Sequence, residues 1–128
     1  MVQAITTIRV GDGEIKLHRP ASYSAILDVI GVLGRNLPRG YGAAVGACWP
    51  AAAPWPGEKQ PSARLLAADG LDYGGRVIDD LRAAGMPWPT IADAGRALAD
   101  ALVEFQVSEQ EVASAAGFSA EPVEGRIE

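Results

Sequence analysis

A change of hydrophobic period at Pro20 constrains this chain more than any other feature. From Thr6 to Arg19 apolar and polar residues alternate about a Gly11-Asp12-Gly13 turn. Ile8 and Val10 share one face of a first strand, and Ile15 and Leu17 one face of a second. The Gly-Asp-Gly step supplies a residue that tolerates positive φ, as a tight hairpin connection requires. After Pro20 the apolar residues recur every three or four positions, so a helical region is expected. A two-stranded hairpin is marginal alone in water. It must pack on the helices or pair with another chain, which makes its outer edge a candidate assembly surface.

Helix signals then follow in order. Ser22 suits an N-cap, since its hydroxyl can accept from a free first-turn amide. Tyr23, Ile26, Leu27, Ile30 and Leu33 would form one helix face, with Gly34 as the stop. Asn36 can cap a second helix that tolerates Pro38 in its first turn. Within it, Gly42 and Gly46 lie four apart and allow close approach of another backbone, which predicts tight packing inside the domain. Cys48 and Trp49 close that apolar run.

Residues 50–61 hold four prolines and read as an extended loop. Trp55 sits between two of them and is either an interface anchor on a stiff loop or a cover folded back on the core. A short helix is expected from Ser62 to Ala68. Asp72 is the expected cap of the next, with Val77, Ile78, Leu81 and Ala84 on one face and Gly85 as the stop. Trp88 again lies between prolines. Thr90 is the expected cap of a helix carrying the stripe Ile91, Ala94, Leu98, Ala101, Leu102 and Phe105. Ser108-Glu109-Gln110-Glu111 reads as a capping box for a separate last helix ending at Gly117. Residues 119–128 read as a flexible acidic tail.

The expected architecture is therefore mostly α: a short N-terminal β-hairpin, about residues 6–19, followed by about five or six helices. They would form one compact domain over residues 1–118. At 128 residues the chain has the length of one domain and needs no disulfide or metal to fold. Its apolar fraction is 48%, but much of that is alanine, which favours close helix packing over a core of large side chains.

Reactive chemistry is sparse. There is one histidine, His18, and one cysteine, Cys48. No phosphate loop, dinucleotide fingerprint, HExxH or CxxC occurs. Gly11-Asp12-Gly13 is too short for a calcium loop. Cys48 lacks a cationic neighbour in sequence that would activate it as a nucleophile beside His18. No enzyme activity, cofactor or metal is expected. Residues 1–61 carry a net charge of +2 and residues 62–128 a net of −7. The acidic half argues against nucleic-acid binding, which needs a dense cationic footprint. No apolar run approaches the length of a membrane span, so a cytoplasmic protein is expected. Protein binding remains, with Tyr41, Trp49, Trp55 and Trp88 as the candidate interface residues.

The order of parts resembles the small tail-assembly chaperones and related minor morphogenesis proteins of tailed phages, prophages and gene-transfer agents. The stretch that carries the resemblance is Ile8-Arg9-Val10-Gly11-Asp12-Gly13-Glu14-Ile15-Lys16-Leu17-His18-Arg19-Pro20, running directly into a helix. The match covers residues 6–49 by pattern, and the acidic C-terminus also fits. The resemblance implies a non-enzymatic protein of the host cytoplasm. It would coat the tape-measure protein before the tail tube polymerises, shielding a helical client with exposed apolar helix surface. Two other functions fit the same residues. One is an acidic inhibitor or regulatory protein docking on a host enzyme; the other is a self-assembling, homo-oligomeric virion connector subunit.

Overall fold

The computed structural model describes residues 3–115, with side chains described through Val112. Two strands, β1 (Ala4–Val10) and β2 (Gly13–His18), precede five helices: α1 (Tyr23–Arg35), α2 (Leu37–Ala47), α3 (Ala63–Ala68), α4 (Gly70–Ala83) and α5 (Trp88–Ala115). The mostly helical architecture with an N-terminal hairpin is as the sequence indicates.

The strands pair antiparallel from Ala4↔His18 to Val10↔Gly13, with an irregularity between Ala4 and Thr6. Gly11 has φ +60° and Asp12 does not turn positive, the pattern of a two-residue type II′ turn. Ile8 and Leu17 point inward and are buried. The end of β2 is tied to the helical body by the His18 amide, which donates to the Cys48 carbonyl at 3.1 Å.

Short polar side chains set most helix starts. The Ser22 hydroxyl accepts from the Ala25 amide, and Asn36 Oδ1 from the Arg39 amide at 3.1 Å. Asn36 also ends α1, its own amide donating to the Val32 carbonyl. One extended residue thus serves as the last cap of α1 and the first of α2. Asp69 does the same between α3 and α4. The far end of α4 closes on Gly85 at φ +97°, with Met86 N–H bonded to Leu81 O and Gly85 N–H to Arg82 O. These two bonds and the buried Met86 and Leu81 make a Schellman stop.

Four local expectations need correction. Gly34 does not stop α1: it takes no positive φ, and the helix runs on to Arg35. Asp72 is not the cap of α4. The helix starts earlier, at Gly70, and the Asp72 amide donates to Asp69 Oδ1 at 3.1 Å. Thr90 does not cap α5, which begins at Trp88; Pro89 is tolerated in a first turn, where amides have no helical partner. Ser108 caps nothing. It lies inside a continuous α5 of 28 residues, because no glycine or proline interrupts the stretch around it. The expected end at Gly117 and the tail at 119–128 lie outside the described residues.

The α1 face is rotated from the expected one. Ile26, Val29 and Val32 are buried, whereas Tyr23 and Leu27 are exposed. Core residues from the hairpin, α1, α2, α4 and α5 meet in one cluster. Helix α2 sits at its centre, packed on α1, α4 and α5. Glycines allow this: a Cβ on Gly42 would lie 2.5 Å from the Gly74 carbonyl oxygen, and one on Gly46 2.7 Å from Val77 Cγ2. The pair at 42 and 46 is thus a close helix-packing seam within the fold.

Candidate protein-binding surface

The side chains with reactive potential are placed where they do little. Cys48 is buried, and burial pushes its thiol from the ordinary 9.0 up to about 12. It stays protonated at neutral pH and is a poor nucleophile despite the backbone bond that brings His18 alongside. Tyr73, also buried, is pushed up to about 12 by desolvation and secondarily by Cys48. His18 Nδ1 and Trp49 Nε1 are buried without a hydrogen-bond partner among the described residues. No group of three or more His, Cys, Asp or Glu that could hold a metal occurs among the described residues.

The four residues singled out in the sequence divide. Trp49 is only 6% exposed, too little for a docking anchor without rearrangement. Trp55 is half-buried: its ring meets Trp49 edge-on at 4.9 Å between centroids, and its Nε1 donates to Asp80 Oδ2 at 2.9 Å. The Pro-rich loop therefore folds back over the core and is fastened to α4. Trp88 is half-buried at the start of α5, packed against the core. Tyr41 is half-buried on α2 where Gly95 of α5 packs on it, and it also lines an open groove.

That groove belongs to the most apolar part of the surface. The large apolar side chains left exposed among the described residues are Tyr23, Leu27, Leu37, Val103, Val107 and Val112. Every one lies on α1, at the start of α2, or on the C-terminal half of α5. Two hollows open along the α1–α5 seam. One, of about 380 Å³, is lined by Leu33, Leu37, Tyr41, Ala99, Asp100, Val103 and Glu104. The other, of about 240 Å³, lies at the Tyr23 end and is lined in part by Pro20, Ile26, Phe105 and Glu109. There Tyr23 packs edge-on to Phe105 at 6.2 Å, and the Arg19 guanidinium stacks over the Phe105 ring at 3.9 Å.

Helix geometry explains the exposed row. Val103 and Val107 are one turn apart and lie about 100° and 140° around the axis from the buried Leu102, beside the inward stripe and not on it. Outward β-branched residues four apart are the signal the sequence contained, and the prominence of the tryptophans obscured it. α5 spans about 42 Å at 1.5 Å per residue. Val107 to Val112 are all exposed, so its end runs past the body that covers Leu98 and Leu102.

A larger groove, of about 610 Å³, follows β1: six consecutive residues, Thr6 to Gly11, line it opposite Ala84–Pro87. Consecutive residues mark the strand's edge, since a strand face would contribute alternate ones. The hairpin edge is thus accessible, but no exposed large apolar side chain accompanies it. No helix among the described residues is long and apolar enough to cross a membrane. No protein-family model, curated protein or solved structure matches this chain.

Proposed function

We propose that this protein is a non-enzymatic binding module of the tail-assembly chaperone kind, holding a helical segment of another protein against its α1–α5 surface. One observation carries the reading: the exposed large apolar side chains gather on α1, the start of α2 and the C-terminal half of α5. Leu37 and Val103 face one open hollow, and exposed large apolar side chains beside a groove mark an interaction site, because leaving them in water is unfavourable. A groove between helices is also the usual seat for an amphipathic helix. The resemblance of residues 6–49 to tail-assembly chaperones supplies the client, a long helical tail protein such as the tape measure, and the host cytoplasm as the place of action.

The test is a tagged pull-down from the native lysate at low and high salt, with wild type beside Leu37→Ser/Val103→Ser. Both substituted side chains are exposed, so the fold should survive. The expected result is a long helical protein retained by wild type at high salt and lost by the variant. Equal capture by both would remove the α1–α5 surface from the reading. Recovery of a basic enzyme that is lost at high salt would replace the chaperone with the acidic inhibitor.

A further inference from the structure

The charges beside the α1–α5 seam specify the client more closely than its apolar floor does. Asp100 and Glu104 line the larger hollow together with Val103, both exposed and one turn apart on α5. Glu111 continues their row two turns on, and Glu109 lines the hollow at the Tyr23 end. From Ala97 to Val112, α5 carries these four acids and no lysine or arginine.

No ion pair among the described residues neutralises them. The ion pair among the described residues is Arg76 with Asp72, on α4. None of the four α5 carboxylates has an ion-pair partner among the described residues. Arg39 Nη1 donates to the Leu71 carbonyl, away from α5. Arg19 lines the Tyr23-end hollow together with Glu109 and stacks over Phe105 without forming an ion pair, so the unopposed acids are those of the larger hollow, Asp100 and Glu104. Arg96, one turn before Asp100, makes no ion pair with it.

An apolar groove flanked by carboxylates that have no ion-pair partner among the described residues is complementary to one kind of helix. We propose that the seam takes an amphipathic helix of a partner protein whose apolar stripe is bordered by Lys or Arg. The inference rests on the helix-binding function above and adds the partner's charge. Rim carboxylates of this kind orient a basic partner and repel an acidic one. They add a part of the affinity that weakens as ionic strength rises, because exposed pairs are screened, and leave the apolar contact that holds the client at high salt.

Two synthetic helical peptides test it with the full chain. Both carry Leu at i, i+3, i+4 and i+7, and they differ only in having Lys or Glu at the flanking positions. Binding is read by fluorescence anisotropy at low and at physiological salt. The Lys peptide is expected to bind about ten-fold tighter than the Glu peptide, the effect of several exposed ion pairs acting together. Asp100→Asn/Glu104→Gln should erase most of that preference. Val103→Ser/Val107→Ser should weaken the Lys peptide while the melting temperature stays near that of wild type.

Equal binding of both peptides, lost in Val103→Ser/Val107→Ser, would overturn the basic partner and leave helix binding standing. Lys-peptide binding that ignores the valine substitutions would also overturn it, as adhesion elsewhere. Failure of both peptides to bind would remove both the inference and the function on which it rests.

Discussion

The contact between α2 and α4 predicts opposite signs for two chemically identical substitutions, Gly31→Ala and Gly42→Ala. Both glycines lie inside helices, where alanine is intrinsically better by about 1 kcal/mol. At Gly31, exposed on α1, an added Cβ meets nothing within 4 Å. The full propensity gain should appear, raising the melting temperature by about 4 °C for a domain of this size. At Gly42 the Cβ would stand 2.5 Å from the Gly74 carbonyl oxygen and 2.7 Å from Ile78 Cγ1. The obstacle is backbone, so no rotamer change relieves it and α4 must move away from α2. Overpacking costs about 1–3 kcal/mol, and a backbone clash belongs at the upper end. Subtracting the propensity gain leaves a net loss of about 2 kcal/mol, a separation of about 3 kcal/mol between the two variants. Thermal and urea unfolding followed by circular dichroism would read both. Gly42→Ala as stable as Gly31→Ala would refute the backbone approach of α2 to α4 and the packing built on it.

Alkaline pH should destabilise the fold through buried acids that ionise only on unfolding. Below pH 9 the folded and unfolded chains both hold the Cys48 proton; from 9.0 to about 12 only the folded chain does. Stability then falls by about 1.4 kcal/mol per pH unit from this thiol, with Tyr73 adding to the slope above pH 10. Urea unfolding at pH 8 and pH 10 should show the loss, and Cys48→Ala should flatten it; an unchanged slope would contradict the assignment. Iodoacetamide at pH 8 should label Cys48 slowly in the folded protein and fast in urea, so equal rates would place the thiol at the surface. Trp55→Phe keeps a ring against Trp49 but loses the bond to Asp80, a cost of about 1 kcal/mol. The same loss is expected for Asp80→Ala, which removes the acceptor, and no further loss in the double variant, whereas additive effects would mean the bond contributes nothing.

What could be read from residues alone was local. The hairpin turn, the caps at Ser22 and Asn36, and the Gly85 stop each depend on groups within five residues of one another. The rotation of α1 was not legible, because Tyr23, Ile26, Leu27, Val29, Ile30, Val32 and Leu33 surround more than half its circumference. Periodicity cannot choose a face there. Tertiary packing chooses it, by seating Gly40 against Leu33 and Gly70 against Val32. Asp69 and Asp72 are both plausible caps in sequence, and the close approach of Gly74 to the Arg39 backbone accompanies the earlier start. The candidate site followed the same division. Trp49 and Trp55 pack on each other, whereas the exposure of Val103 and Val107 depends on which stripe of α5 faces inward, and that is set by tertiary packing.

The most direct test of the α1–α5 surface is residue-resolved. Amide chemical shifts of the isotope-labelled chain, followed while the Lys-flanked peptide is titrated in, would locate the contact. The account predicts the largest changes at Leu33 to Tyr41 and Ala99 to Val107, with residues 50–61 unmoved. Changes confined to Thr6–Gly11 on the hairpin edge, or to the Trp55 loop, would contradict it.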